Sequence, residues 1–361
     1  MNMNRVQRSS YLEWIRTTPR TRFNLAASGV VPVPISDLCI TLADLELTGL
    51  GSYGYEPLLR AIANKYEVST ESVVAAAGTS MANHLAMAVL IHPGDEVIIE
   101  KPTYEPLLAV AQYLGAEIRR FVRTPESGFA LDPKEVERAV GLGTRVIVLT
   151  NLHNPSGALA SDRDLAAVGA VARSVGARVL VDEVYLDAAF DRKPHSAHHL
   201  GDEFVTTSSL TKVYGLGGLR CGWVLAPPEL ARRIWRLNDL YGVDAAHIAE
   251  QLSCLAIAQL DRVYDRARAL LTRNRAIAYN FLDGCSTLEV ARPQFGTTLF
   301  PRLKHGSADE LCRVLQDKYD TLIVPGRFFE MPTYLRIGIG TDTGSFVAGL
   351  ERLALALNEI A

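Results

Sequence analysis

Cysteine is scarce and scattered. Cys39, Cys221, Cys254, Cys285 and Cys312 are odd in number, and none forms a C-x-x-C pair. Such a set suggests neither a disulfide framework nor a zinc site, and it fits a reducing cytoplasm. No basic run is present and the formal net charge is −3, so nucleic acid is not an expected partner. The opening residues, MNMNRVQRSS, lack the apolar core of a signal peptide. No uninterrupted apolar run reaches the length of a membrane span, so no membrane association is expected. Internal repeats and low-complexity segments are also missing. What is there is ordinary for a soluble globular enzyme: 361 residues, 48% hydrophobic and 21% charged. That length is too great for one small core and suggests a large and a small domain.

From about residue 57 the pattern alternates helix and strand. Helices are expected over 57–66, 81–91, 107–114, 132–140 and 162–175. Between them, short apolar or β-branched runs at 73–77, 97–99, 116–122, 145–150 and 178–181 read as strands. The alternation suggests βαβ units on a parallel sheet. A mostly helical stretch follows over 244–281. Strands are then expected at 300–303, 321–324 and 334–339, with helices at 308–319 and 346–360, as in a smaller α+β domain. Polar or glycine-rich residues follow several strand ends in the first part, where open α/β sheets bind ligands.

The most informative stretch runs from Ser208 to Trp223, SSLTKVYGLGGLRCGW. Lys212 stands among small and hydroxylated residues with few carboxylates nearby, which favours a neutral amine able to attack an aldehyde. Glycines let the backbone turn close to a ligand, and Arg220 offers a planar fork for a phosphate. An aldehyde and a phosphate together describe pyridoxal 5′-phosphate (PLP). Asp182, in Val181-Asp182-Glu183-Val184-Tyr185, ends an apolar strand and can keep a pyridine nitrogen protonated. Tyr185 and Asn154, the latter in Asn154-Pro155-Ser156-Gly157, can each hydrogen-bond a phenolic oxygen on the same ring. Gly78-Thr79-Ser80 precedes a helix, and free N–H groups with two hydroxyls make a phosphate cradle. Tyr104 can stack on a ring. Each piece has a plainer alternative: a strand-end Asp caps its turn, Asn-Pro-Ser-Gly is a turn, Thr79 is an N-cap, and Tyr104 is a surface aromatic.

In this order the motifs resemble the class I/II aminotransferases, the aspartate-aminotransferase superfamily of PLP enzymes (fold type I), from about Tyr53 to Gly340. The pattern Asn-Pro-x-Gly, Asp-x-x-Tyr, Ser-x-x-Lys, Arg is matched by Asn154, Asp182, Tyr185, Ser209, Lys212 and Arg220. The resemblance implies Lys212 as the Schiff-base lysine and proton carrier, Asp182 as the pyridine partner, and Asn154 with Tyr185 at the ring hydroxyl. It implies Ser209, Arg220, Gly78, Thr79 and Ser80 at the phosphate, Tyr104 as the stacking ring, and Arg336 as the clamp on the substrate α-carboxylate, with Asn154 beside it. Tyr53, preferred to Tyr55, would reach the phosphate of a neighbouring subunit, although the segment around Gly51 is compressed relative to the family. The implied fold is α/β, a large domain with a mainly parallel central sheet flanked by helices plus a smaller α+β domain. Its expected bounds are an arm at 1–36 joining the small domain, a PLP-binding domain at 37–245, a connecting helix at 246–281 and the small domain at 282–361. A homodimer is implied as well.

The implied activity is ping-pong transfer of an amino group between an L-amino acid and a 2-oxo acid. A lyase or a cyclase/synthase of the same fold is the alternative. A ligand-sensing regulator is disfavoured, because only about fifty residues precede Tyr53 and they hold no basic helix-turn-helix. A dehydrogenase built on Gly215, Gly217 and Gly218 lacks a first βα turn and an acidic ribose partner. Arg16, Arg20 and Arg22 can bind a second substrate carboxylate or simply be solvated.

Overall fold

The structure, a computed structural model, describes residues 8–49, 53–192 and 194–360. The first seven residues of the expected arm, and Gly51 and Ser52 of the compressed segment, lie outside them. The chain opens with α1 (Ser10–Thr17) and the short β1 (Phe23–Asn24). It continues through α2 (Glu56–Tyr66), β2 (Val73–Ala77), α3 (Thr79–Leu90), β3 (Glu96–Lys101), α4 (Glu105–Tyr113) and β4 (Glu117–Val122). Then come α5 (Pro133–Ala139), β5 (Thr144–Thr150), α6 (Asp162–Ser174), β6 (Arg178–Asp182), β7 (Phe204–Ser209), β8 (Cys221–Leu225) and α7 (Pro228–Asn238).

Strands β2 to β8 form one seven-stranded sheet in the order β2-β8-β7-β6-β5-β3-β4. β3 to β7 pair in parallel, while β8 runs antiparallel to both β7 and β2. The sheet is therefore mainly parallel, as expected, with one reversed strand that the sequence pattern does not announce. The reversal follows from the connection. Residues 210–220 hold no α-helix to carry the chain back for a parallel crossover, so β8 returns beside β7.

The inner strands are buried on both faces, unlike the edge strand β4, and their side chains alternate between two cores. Val97, Ile99, Val146 and Val148 pack with α3, α4 and α7. Ile98, Ile147, Leu149, Val179 and Val181 pack with α5 and α6 on the other face. This explains why the strands read as continuous apolar runs rather than alternating ones.

The stretch expected to be helical over 244–281 is two helices, α8 (His247–Ile257) and α9 (Leu260–Asp283). Gln259 makes the break: its side-chain amide donates to the Leu255 carbonyl, and its oxygen accepts from the Cys39 N–H. Beyond α9 lie β9 (Leu288–Glu289), β10 (Thr298–Leu299), β11 (Arg302–Leu303), α10 (Ala308–Tyr319), β12 (Thr321–Leu322), β13 (Val324–Pro325), β14 (Leu335–Gly338) and α11 (Thr343–Ile360). Of the strand expected at 300–303 only Arg302 and Leu303 form one, β11; Phe300 and Pro301 separate it from β10, and Pro301 has no N–H to donate to a ladder. β14 lies between β10 and β13, antiparallel to both. β1 pairs in parallel with β12, which ties the start of the chain to its end.

A buried ion pair stiffens the sheet's ligand-bearing edge. Arg123 and Glu100 meet at 2.8 Å with both side chains fully buried. Glu100 also accepts from the N–H and hydroxyl of Thr150, and Arg123 donates to the Phe129 carbonyl. Glu100→Ala leaves Arg123 as an uncompensated buried charge and is expected to cost about 3–5 kcal/mol of unfolding free energy. Joint replacement of both partners by Met is expected to recover much of that loss. Urea titration checks both, and a near-neutral Glu100→Ala contradicts this account.

Candidate active site

The expected site residues converge on one edge of the sheet. Asn154, Asp182, Tyr185, Ser209 and Lys212 sit at or within four residues of the carboxyl ends of β5, β6 and β7. The register sets Thr150 beside Asp182 and Asp182 beside Thr207. Tyr104, just past β3, and Thr79 with Ser80, just past β2, line the same cleft. Because β8 is reversed, its first residue Cys221 lies opposite Ala77 and delivers Arg220 to this edge.

The β2–β8 contact leaves no room for side chains. A Cβ on Gly222 would lie 2.4 Å from the Gly78 carbonyl carbon, and one on Gly78 would lie 2.3 Å from the Arg220 guanidinium. Gly78 also has φ +82°, a conformation that suits glycine. It caps the N-terminus of α3, whose first turn carries no acidic residue. The Thr79 hydroxyl is buried and unpartnered. Arg220 donates only to the carbonyls of Ala77 and Gly217 and, among the described residues, pairs with no carboxylate. An orphaned hydroxyl, open helix N–H groups and an uncompensated guanidinium together suit a phosphate.

At the other end of the cleft, Asp182 is buried and oriented. One carboxylate oxygen accepts from the Asn83 side chain at 2.8 Å, the other from the Val184 N–H at 3.0 Å. The Thr207 hydroxyl holds the Asn83 oxygen at 2.6 Å, which fixes the amide's orientation. Burial pushes Asp182 above the usual carboxylate range, against the pull of those two donors and of Lys212. A buried carboxylate held in this way suits a protonated ring nitrogen. Lys212 donates to the Ser28 hydroxyl at 3.0 Å. Burial pushes its amine below the ordinary lysine range, and Arg336 and Arg220 act in the same direction. A neutral amine is the form that attacks a carbonyl. The site residues therefore fit PLP at both ends and at the aldehyde between them.

Arg336, on β14, is fully buried. Its Nη1 donates to Asn154 Oδ1 at 3.3 Å, its Nη2 donates to the Tyr11 hydroxyl at 2.6 Å and the Ala26 carbonyl at 3.1 Å, and its Nε is unpartnered. A buried guanidinium that meets no carboxylate among the described residues is set up to receive one.

Tyr53 lies apart from this cleft. Its ring is 48% exposed and rests against Trp235 at 5.9 Å, while Tyr55 packs edge-on against His247. Three site residues escaped the sequence reading. Asn83 had a signal: it is a lone amide in an apolar helix, one turn after Thr79. Tyr11 and Ser28 had none, because only the folded chain brings them to Arg336 and Lys212.

This sheet, with Lys212 and the Gly78 turn brought to one edge, is that of a PLP-dependent enzyme of fold type I. Residues 42–353 match the family described as aminotransferase class I and II, and the chain belongs to that family. It is 29% identical over 307 residues to capreomycidine synthase of Streptomyces vinaceus, covering 84% of this chain and 79% of that protein. A PLP-dependent aminotransferase from Streptococcus suis superposes with a TM-score of 0.93 at 25% identity over 99% of each chain. The PLP-dependent cyclase OrfR superposes with a TM-score of 0.89 at 25% identity, covering 98% of this chain and 97% of that one.

Directly after Asp182, Glu183 points into the opposite core, where it accepts from the Ser196 hydroxyl and the Ala197 N–H. Burial pushes its carboxyl up to about 8, from an ordinary 4.5. Between those values the folded chain holds a proton that the unfolded chain has released, so stability falls as pH rises through that window. Glu183→Gln cannot titrate. Its stability relative to the parent is expected to increase from about pH 5 to about pH 8 in urea melts, and a constant difference contradicts the assignment.

Proposed function

We propose that this chain moves the α-amino group of an L-amino acid to a 2-oxo acid in two half-reactions on one cofactor. The observation that carries the reading is the pairing of Lys212, whose amine burial pushes toward the neutral form, with Arg336, a buried guanidinium that meets no carboxylate among the described residues. The first can act at a substrate's Cα while the second holds its carboxylate.

In this reading Arg220, Ser209, Thr79, Ser80 and the Gly78 turn hold the phosphate. Tyr104 would stack on the ring, and Asn154 and Tyr185 would hydrogen-bond its phenolic oxygen; all three line the cleft. Bound PLP supplies the electron sink that makes the substrate Cα–H acidic. Asp182 holds the proton on the pyridine nitrogen, and Asn83 and Val184 keep its carboxylate in place. Lys212, free as an amine, would take the proton from the substrate Cα and deliver it two atoms away, across the amino nitrogen, at the carbon that was the cofactor's aldehyde. Its neutral state is favoured by burial. Arg336 and Asn154 fix the carboxylate, so that the Cα–H faces Lys212.

The division into an arm, a large domain, a connecting helix and a small domain at the bounds given above belongs to this proposal, and the pairing of β1 with β12 supports it. A homodimer does too. Leu240, Tyr241 and Val243 are exposed, and Tyr53, also exposed, rests beside Trp235. Tyr241, Val243 and Trp235 line one surface hollow. In a dimer, Tyr53 would reach across to the neighbour's phosphate. The free cysteines support a reducing cytoplasmic setting.

A second reading is cyclisation of the substrate by a nucleophile of its own side chain, with no 2-oxo acid involved. It is favoured by the similarity to a protein named a synthase and to a cyclase.

Two experiments test these assignments. Borohydride reduction of the PLP-loaded protein is expected to fix the cofactor covalently to Lys212, and Lys212→Ala is expected to retain none and to lose turnover. Retained activity in that variant sinks the assignment. Product measured with and without a 2-oxo acid acceptor decides between the two readings. Transamination requires the acceptor for more than one turnover per site, whereas cyclisation proceeds without it.

A further inference from the structure

Helix α1 straps the mouth of the cleft. Its start is tied to the start of α4: the Ser9 hydroxyl and the Ser10 N–H both donate to Glu105, the residue after Tyr104. Its apolar side reaches the turn after β13, with Trp14 against Phe328 at 5.1 Å and Tyr11 against Phe328 at 5.7 Å. Tyr11 sits between these anchors, 6% exposed and edge-on to Tyr104 at 6.0 Å. Its hydroxyl accepts from Arg336 Nη2. Among the described residues, no group accepts the proton of that hydroxyl.

The donors of Arg336 make this contact consequential. A carboxylate binds a guanidinium along one of two edges, Nε with Nη2 or Nη1 with Nη2. Both edges need an Nη2 proton, and both Nη2 protons are taken, one by Tyr11 and one by the Ala26 carbonyl. The carbonyl is fixed in the backbone, whereas the hydroxyl sits on a side chain and can serve as acceptor or donor.

Resting on the reading of Arg336 as the carboxylate clamp, we propose that Tyr11 is a substrate-binding residue. The incoming α-carboxylate takes the Nη2 proton that Tyr11 now accepts, and the Tyr11 hydroxyl turns round to donate to that carboxylate. No covalent bond changes in this exchange. The site thus gains a neutral donor beside the cationic one, presented by a helix that bridges both parts of the molecule.

The test uses the PLP-loaded protein and two probes, 2-methylalanine and isopropylamine. They share an amino group and two methyls, and only the first has a carboxylate. Neither can complete a transamination cycle at the rate of a substrate, so binding is read from the cofactor's absorption. The parent is expected to bind 2-methylalanine more tightly than isopropylamine. Tyr11→Phe removes one hydrogen bond to a charged group and is expected to weaken 2-methylalanine about tenfold or more, leaving isopropylamine within about twofold. Equal weakening of both probes means that Tyr11 only supports the fold of the mouth, and overturns the proposal. Unchanged binding of both overturns it too. If the parent itself does not prefer 2-methylalanine, the clamp reading of Arg336 fails, which is a separate result. Glu105→Gln serves as a second variant. It loosens the tie of α1 but keeps the hydroxyl, and is expected to preserve most of the preference for the carboxylate.

Discussion

The reversal of β8 is the constraint on which the rest of the site depends. If β8 ran parallel to β7, its first residue would lie at the far end of the sheet, and Arg220 with it. Running antiparallel between β7 and β2, it sets Arg220 against Gly78, in the cleft that Lys212 also lines. The glycines at 78 and 222 are what allow the close approach, since a Cβ at either position meets backbone or the guanidinium. One reversed strand therefore brings the N-terminus of α3 to an arginine and a lysine that lie well over a hundred residues further along the chain.

Around that edge the chemistry is a matter of burial matched by chosen partners. Asp182 is buried, yet it has two fixed donors and an open place for a cation. Lys212 is pushed toward the neutral amine by the same burial. Arg336 is buried and, among the described residues, meets no carboxylate. Each of these costs folding free energy unless a ligand supplies the missing partner. Cofactor and substrate carry the complementary groups: a ring N–H, an aldehyde, a phosphate and a carboxylate. Binding either one should then stabilise the fold by mass action.

Much of this was legible in the sequence because it depends on local order along the chain. A β-branched run ending in Asp182, with Tyr185 three residues on, and Ser209 with Lys212 three residues on, are short-range patterns fixed by strand ends. The two cores were legible as strands but not as faces, since a strand buried on both sides shows no alternation. The reversed strand was not legible, because its direction is set by the lack of a helix in 210–220 rather than by its own residues. Tyr11 and Ser28 were beyond reach for a related reason. They carry no motif and enter the cleft only when β1 pairs with β12, some three hundred residues away in sequence. The break at Gln259 was likewise invisible, being made by a side chain that caps a helix end and holds Cys39.

The central claim is that Lys212 holds PLP in a site that exchanges amino groups. The most direct measurement is the absorption spectrum of the PLP-loaded protein, taken before and after a panel of L-amino acids and again after a 2-oxo acid. The account predicts a cofactor band that converts to the pyridoxamine form with particular amino acids and returns when the 2-oxo acid is added. A protein that forms no such band with added PLP contradicts the cofactor site. A band that reacts with amino acids but never passes to the pyridoxamine form contradicts amino transfer.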